Sequence, residues 1–271
     1  MKLSVFGGTG FVGSEFCRTT KTPFFLIPRE DRNPQSSDVL YFISTTHNYH
    51  VFDDVHIDVN TNLNVMLDVL KNMKKGDTFN FISSWFVYGD VPLPAQEDAC
   101  CKPKGFYSIT KRAAEEMLIS YCQTFEINYR ILRLSNAYGP GDRDVSARKN
   151  ALQYLINQLR KNEPIQLYHD GHFIRDYLHV HDTARAIDLC LQKAPLNTTI
   201  NVGSGKAQNF GELIWAAKKL LNSKSEITSM EPTPFHQIVQ VKDFYMNTDR
   251  LKKLGFEPQI SIEQGIKELC H

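Results

Sequence analysis

The sequence predicts an α/β fold built on a doubly wound parallel sheet. Apolar, strand-like runs alternate with helical patterns from the first residues onward, which is typical of βαβ units. A glycine-rich turn, GGTGFVG at 7–13, joins the first predicted strand to the first predicted helix. After residue 138 the alternation weakens. We therefore expect a sheet domain at 1–138 and a smaller α/β domain at 139–271, mainly substrate-binding and interleaved with the first.

Periodicity and turn residues predict the individual elements. Strands are expected at Lys2–Phe6, Phe24–Arg29, Val39–Ser44, Thr78–Ser83 and Asn128–Leu134. Helices are expected from the glycine turn to about Thr20, and at Asn60–Lys71, Tyr107–Thr124 and Ala151–Lys161. The link EDRNPQSSD between the second and third strands is polar and contains a proline, which predicts a loop without a further helix or strand.

Composition excludes several classes of partner. Lys plus Arg number 31 and Asp plus Glu 30, so no net field attracts nucleic acid or an anionic membrane surface. The sequence has neither a signal-peptide pattern nor an apolar run long enough to span a membrane, and a cytoplasmic location is expected.

The cysteines and histidines predict no metal site. Six cysteines show neither a CxxC motif nor paired metal-ligand spacing and are interpreted as reduced thiols. The pairs His169 with His172 and His179 with His181 lack the supporting Cys or carboxylate spacing of a zinc site.

The glycine turn predicts a Rossmann-type, NAD(P)-binding site. Gly7, Gly10 and Gly13, with Phe11 and Val12 between them, lie where backbone amides at a helix N-terminus can hold a pyrophosphate. Glycine allows the backbone to approach the phosphates closely, although a glycine triplet alone is also found in plain turns. Ser44, which ends the third predicted strand, is a further cofactor-binding candidate.

The end of the second predicted strand favours NADP over NAD. An arginine at this point accommodates the 2′-phosphate of NADP, whereas an acidic residue selects NAD. Arg29 ends the strand and Arg32 follows closely, so both are candidate cofactor-binding residues. Two alternatives stay open: Glu30 and Asp31 are adjacent, and Arg29 could be a solvated loop charge.

Tyr107, Lys111 and Ser84 are the candidate catalytic residues. Tyr107 and Lys111 are four residues apart in a predicted helix, so they share one face. An ammonium beside a phenol lowers the pKa of the phenol, which suits general acid/base catalysis at neutral pH. Ser84 lies at a strand end, where ligands of parallel sheets bind. Each feature alone is also explained by an ordinary helix face or strand end.

Seven segments in order resemble the extended short-chain dehydrogenases/reductases of the NAD-dependent epimerase/dehydratase family. They are GGTGFVG (7–13), FISSWFVYGD (81–90), YSITK (107–111), LRLSNAYGPGD (132–142), GHFIRDYLHVHD (171–182), NVGSG (201–205) and NTDRLKKLGFEP (247–258). The resemblance implies a nucleotide-diphosphate sugar that reacts at C4, with Tyr107 as acid/base, Lys111 on the nicotinamide ribose and Ser84 on the reacting oxygen.

The resemblance also implies three binding roles. Asn136 falls on an asparagine near the sugar-nucleotide phosphates, and Arg175 on an arginine that clamps the pyrophosphate, a task suited to a guanidinium fork. Asn60 looks like the structural and cofactor-side asparagine of its helix. A homodimer through the helix Tyr107–Thr124 and its neighbour Asn60–Lys71 is implied as well.

Three departures from the family pattern matter. Trp85 and Phe86 follow Ser84, where 4,6-dehydratases have Asp and Glu and the sugar-nucleotide decarboxylases a glutamate, so neither reaction is expected. The short link after Arg29 implies a sheet shortened at its adenine-side edge. His236 and Lys242 occupy the stretch where a second phosphate-binding arginine is usual.

These features leave three functions open. An NAD(P)-dependent nucleotide-sugar epimerase and a 4-ketoreductase both need only the hydride chemistry of Ser84, Tyr107 and Lys111. The 4-ketoreductase fits the arginine at the end of the second strand better. The alternative is a non-catalytic NAD(P)-binding regulator or scaffold, since the fold does not determine the function.

Overall fold

The computed structural model describes residues 1–143 and 145–271. The strands in this part of the chain are β1 Leu3–Phe6, β2 Phe24–Ile27, β3 Asp38–Tyr41, β4 Thr78–Ser84, β5 Asn128–Leu134, β6 Asn136–Tyr138, β7 Ile165–Tyr168, β8 Ile174–Arg175, β9 Tyr177–His179, β10 Thr198–Val202, β11 Gln208–Asn209 and β12 Ile227–Met230.

The α-helices are α1 Phe11–Thr19, α2 Ile57–Val59, α3 Val65–Leu70, α4 Gly105–Phe125, α5 Ala151–Arg160, α6 Val180–Lys193, α7 Phe210–Leu220, α8 Pro234–Val239, α9 Asp249–Lys253 and α10 Ile262–Cys270. Asn60–Asn64 is π-helical and joins α2 to α3. Short 3₁₀ turns lie at Asn48–Phe52, Trp85–Val87 and His169–Gly171.

Six parallel strands form the central sheet, in the order β10-β5-β4-β3-β1-β2. All seven residues of β4 are buried, as expected for a strand covered on both faces. In β1, Leu3 and Val5 pack on the α1 and α6 side, while Phe6 packs on the α3 and α4 side. The predicted doubly wound α/β fold is confirmed.

The sheet is short at the β2 edge, as predicted. Residues 28–37 lead from β2 to β3 without a helix, and β3 lies on the opposite side of β1. The second strand ends at Ile27 and does not reach Arg29, because Pro28 has no N–H and begins a turn closed by the Asp31 N–H. No further strand extends the sheet beyond β2 among the described residues.

Residues after 139 contribute to two regions. One core cluster packs α5, α7 and α10 together and includes Leu159, Ile214 and Ile266. From the same part of the chain, however, β10 pairs with β5 in the central sheet, and α6 packs against α1. The division at residue 138 stays a prediction. Within 1–143 and 145–271, no helix combines the length and apolarity needed to cross a membrane.

Candidate active site

One cavity of about 860 Å³ runs along the carboxyl ends of the central strands. Its walls come from the glycine turn after β1, from the ends of β3, β4 and β5, from the start of α4, and from loops and helices after residue 140. Ligands of open parallel sheets bind at this edge. Every catalytic candidate predicted from the sequence lines the cavity, namely Ser84, Tyr107 and Lys111.

The glycine turn forms a narrow backbone cradle at one end of the cavity. Gly7 has a φ of +73°, and a Cβ at Gly13 would lie 2.5 Å from the carbonyl oxygen of Gly7, so a side chain is excluded there. Gly10 precedes α1, and no described side chain caps that helix. The first amides of α1 can therefore bind an anion. Gly7, Gly10, Phe11, Val12 and Gly13 all line the cavity, and this cradle fits the diphosphate of NAD(P).

Asn62, rather than Asn60, organises the end of β3. Asn60 is exposed and does not line the cavity, which corrects the role predicted for it. The buried Asn62 accepts hydrogen bonds from the Ser44 hydroxyl (3.1 Å) and the Thr45 amide (2.8 Å). It also donates to Thr110 on α4 at 2.9 Å. The π-helical turn shifts the register of the helix, and sequence spacing alone does not reveal such a turn.

Arg29 and Arg32 do not line the cavity. The Arg29 side chain is 96% exposed, and its nearest charged partner is Glu30 at 4.0 Å. Arg32 donates to the carbonyl oxygens of Arg29 and Asp31 and so fixes the turn after β2. The structure thus brings the glycine turn and Ser44 together but leaves both arginines outside.

Tyr107 lies in the first turn of α4 and is buried, with an exposure of 7%. Burial raises the pKa of its phenol; hydrogen bonds with Ser84 and Ser44 lower it in part, and the negative charge of Asp58 raises it further. The two hydroxyls come from the ends of β4 and β3, so the fold places three hydroxyl groups together. The sequence did not predict the contact between Ser44 and Tyr107, because that contact depends on the packing of α4 across both strands.

Lys111 is buried one turn further along α4. Its Nζ donates to the carbonyl oxygen of Ile82 at 2.7 Å and lies 4.0 Å from the centre of the Phe81 ring. Burial lowers the pKa of the amine to about 7, and the charge of Glu115 opposes this only in part. The sequence predicts that Lys111 lowers the pKa of Tyr107, but in the structure the net shift of the Tyr107 pKa is upward, because desolvation is its largest cause.

A buried ion pair supports the strand end that carries the two serines. The Ser83 hydroxyl donates to Glu115 at 2.6 Å, and Arg133 on β5 donates to both oxygens of the same carboxylate. These contacts hold the pKa of Glu115 below its usual value despite the opposing effect of burial. The neighbouring Ser84 accepts the amide hydrogen of Phe86 at 3.3 Å and lines the cavity.

Both substrate-binding candidates from the second half of the chain line the cavity. Asn136 donates to the carbonyl oxygen of Asp176 at 3.0 Å. Arg175 donates to the carbonyl oxygens of Ile174, at 2.8 Å, and Val241, at 2.9 Å. Burial lowers the pKa of its guanidinium to about 10, so it stays charged at neutral pH. An anion entering the cavity could therefore replace the carbonyl oxygens as its partner.

The histidines of the predicted pairs lie in different surroundings. His169 lines the cavity, whereas His179 and His181 contact Glu268 and Glu15 at 3.1 and 3.0 Å. His236 and Lys242 also line the cavity. Burial, together with the charge of Arg175, lowers the pKa of His236 to about 4. No cluster of three or more metal-ligating side chains occurs in the described part of the chain.

Comparison with known proteins identifies the family. The model of the NAD dependent epimerase/dehydratase family matches residues 38–203. The chain belongs to this family. The resemblance predicted from the seven segments is therefore confirmed, and with it an NAD(P)-dependent enzyme of the extended short-chain dehydrogenase type.

The chain is also similar to individual curated and structurally solved proteins. A putative UDP-glucose 4-epimerase from Methanocaldococcus jannaschii is 28% identical over 76% of the chain, and the match spans 66% of that protein. RMD from Pseudomonas aeruginosa, solved with NADPH, has a TM-score of 0.84 and 25% identity, with 99% of this chain and 97% of that one covered. UDP-glucose 4-epimerase from Thermotoga maritima, solved with UDP-glucose, has a TM-score of 0.85 and 22% identity, with 100% of this chain and 97% of that one covered. This similarity is one of fold.

Proposed function

We propose that the protein is an NAD(P)-dependent oxidoreductase acting at C4 of a nucleoside-diphosphate sugar, as a 4-epimerase or a 4-ketoreductase. One observation carries the proposal: Tyr107 and Ser84 line the same cavity as the glycine cradle, and the Ser84 hydroxyl is near enough to the phenol to lower its pKa. An acid/base pair at one end and a diphosphate site at the other suit hydride chemistry on an alcohol or ketone carbon.

Tyr107 exchanges the proton and Ser84 orients the reacting oxygen. In the reducing direction the phenol gives its proton to the carbonyl oxygen, while the Ser84 hydroxyl donates a hydrogen bond to the same oxygen. The raised pKa of Tyr107 keeps the phenol protonated at neutral pH, which suits an acid. In the oxidising direction Tyr107 takes the proton back, so the same pair serves both reactions.

Bound NAD(P) would supply or accept the hydride. The residues expected to hold it are Gly7, Gly10, Phe11, Val12, Gly13, Ser44, Tyr107 and Lys111. The prediction that NADP is favoured over NAD rests on Arg29 and Arg32, both outside the cavity. The substrate phosphates are assigned to Asn136 and Arg175.

A 4,6-dehydratase is not proposed, although the family includes dehydratases. Elimination of water needs a base and an acid next to the carbon that loses the proton. The two residues after Ser84 are Trp85 and Phe86, which carry no carboxylate. The absence of carboxylates at these two positions supports an enzyme limited to hydride and proton transfer.

Cofactor binding and sugar-nucleotide conversion test the proposal together. NADPH and NADH are titrated into the protein, and UDP- and dTDP-linked hexoses are followed by chromatography with each cofactor. Tyr107→Phe should keep cofactor binding and lower conversion at least about 100-fold. Tyr121→Phe, a partly buried tyrosine outside the cavity on the same helix, is the matched control.

The results distinguish the catalytic function from the non-catalytic alternative. Undiminished conversion by Tyr107→Phe would remove the tyrosine from the mechanism. A protein that binds NAD(P) but converts no sugar nucleotide would be the non-catalytic regulator or scaffold, and one that binds neither nicotinamide cofactor would refute the proposal. The cytoplasmic location stays a prediction, as does the homodimer.

A further inference from the structure

A stack of aromatic rings lies between Tyr107 and Arg175. The ring of Trp85 is stacked on Phe86 at a centroid distance of 4.0 Å and on Phe244 at 4.6 Å. Phe86 meets the ring of Tyr107 edge-on at 5.8 Å, and the guanidinium carbon of Arg175 lies 5.4 Å from the Trp85 ring. We call Trp85, Phe86 and Phe244 the aromatic wall. Trp85 and Phe86 line the cavity directly.

The aromatic wall is held firmly in place. Phe244 is fully buried and Trp85 is 3% exposed, so neither ring can turn away without opening the core. The Phe86 amide donates to the Ser84 hydroxyl, which ties the 3₁₀ turn to the strand end. A ligand that reacts at Tyr107 therefore meets ring carbons at a fixed distance from the reacting group.

The inference rests on the proposed function, which places C4 of the sugar at Tyr107 and the diphosphate on C1 at Arg175. The hexose then spans the aromatic wall, with one edge of its ring against Trp85 and Phe86. The C2–C3 edge carries two hydroxyls, whereas the other edge carries the ring oxygen and the C6 group. Aromatic rings pack against the less polar edge of a sugar ring, so the C6 group lies against the aromatic wall.

We propose that the substrate is a 6-deoxyhexose and that Phe86 determines this specificity by packing against the C6 methyl group. A hydroxyl at C6 would be buried against ring carbons of the wall and would lose its hydrogen bonds to water. A carboxylate at C6 would lose far more, because a buried charge needs a partner. The wall favours a methyl group for the same reason that apolar cores exclude unpaired polar groups.

Three sugar nucleotides that differ only at C6 test this inference. Their C6 groups are methyl, hydroxymethyl and carboxylate, and UDP and dTDP series are both used, with NAD and NADP. Conversion is followed by chromatography and by the absorbance of reduced nicotinamide, so epimerisation and net redox chemistry both count. We expect kcat/KM for the methyl compound to exceed that for the hydroxymethyl compound by about 10- to 100-fold.

Variants of Phe86 give the second readout. Phe86→Ser should reduce the preference to less than about threefold, because the added hydroxyl can pair with the C6 hydroxyl. Phe86→Leu keeps an apolar wall and should retain the preference, which guards against a variant that fails to fold. Trp215→Ala removes an aromatic ring that is 52% exposed outside the cavity and should leave the ratio unchanged.

Some outcomes overturn the inference but leave the proposed function standing. They are preferred conversion of the hydroxymethyl or carboxylate compound, and a methyl preference that persists in Phe86→Ser. No conversion of any compound by protein that binds NAD(P) overturns both, so the two failures are distinguishable.

Discussion

Arg133 holds Glu115 in a two-pronged hydrogen bond: its Nε and Nη2 lie 3.0 and 2.8 Å from the two carboxylate oxygens. Both side chains are almost fully buried. A planar guanidinium facing a carboxylate in this way gives the strongest geometry available to an ion pair. The pair lies directly behind the end of β4, and it therefore links the stability of the protein to the position of the candidate active site.

Removing the arginine should strongly destabilise the protein. Arg133→Met leaves the buried Glu115 without its two-pronged partner, although the Arg112 ion pair remains, and we expect the free energy of unfolding to fall by about 3 kcal/mol. Arg18→Met is the matched control, because Arg18 forms a surface pair with Glu15 and should cost less than about 1 kcal/mol. Urea denaturation measures both. If the two variants lose the same free energy of unfolding, the buried Glu115 does not depend on Arg133 for its stability.

Lys111 should destabilise the protein in a pH-dependent way. Its pKa of about 7 lies below its ordinary value, so the folded protein binds this proton less tightly than the unfolded chain. The destabilisation by the buried ammonium is greatest below about pH 7. It disappears as the pH rises toward the pKa that Lys111 has in the unfolded chain. Lys111→Met should therefore raise Tm most near pH 6, with a gain that shrinks toward pH 10.

Thermal unfolding across this pH range measures the effect. Lys219→Met, an exposed lysine in the last turn of α7, is the control and should change Tm by a similar amount at every pH. A gain from Lys111→Met that is constant with pH would contradict the lowered pKa.

Two alanine substitutions in the glycine cradle distinguish an effect on NAD(P) binding from an effect on the stability of the fold. A Cβ at Gly10 would be 3.5 Å from its nearest described neighbour, so Gly10→Ala should fold normally yet narrow the cavity and weaken NAD(P) binding about tenfold. A Cβ at Gly13 would lie 2.5 Å from the Gly7 oxygen, so Gly13→Ala should also lower Tm by several degrees. Cofactor titration and thermal unfolding give the two readouts. Unchanged affinity in Gly10→Ala would place the diphosphate elsewhere.

One face of α4 suits the predicted homodimer. Phe106, Ile109 and Met117 follow one stripe of the helix and are 42, 50 and 37% exposed. If two copies bury this stripe, Ile109→Glu should convert a dimer into a monomer, as measured by light scattering after size exclusion. Leu220→Glu, a substitution at a 48% exposed position on α7, is the control and should remain a dimer. A wild-type protein that is monomeric at micromolar concentration would contradict the prediction.

Short-range features were predictable because neighbouring residues alone determine them. The glycine turn requires conformations that side chains exclude, as the positive φ of Gly7 shows. Tyr107 and Lys111 share a face of α4 because four residues make about one helical turn. Likewise, the missing helix before β3 followed from a link that was too short and too polar to contain one.

The position of Asn62 and the exposure of Arg29 could not be predicted in this way. Asn62 meets Ser44 from within a π-helical turn, and the early end of β2 left Arg29 in solvent. Both changes shift residues by one or two positions, and spacing along the sequence does not resolve so small a shift.

The sequence by itself determined the α/β class, the shortened sheet edge, the family and the principal cavity residues, since these depend on periodicity and on motifs a few residues long. Only the tertiary structure decided which distant groups meet, as in the ion pair of Glu115 with Arg133 and the stacking of Trp85 on Phe244. Those contacts depend on how helices and loops pack against the sheet. Many residues distributed along the sequence determine that packing together. The chemistry of the site was therefore readable in the chain, whereas the shape of its substrate cavity required the fold.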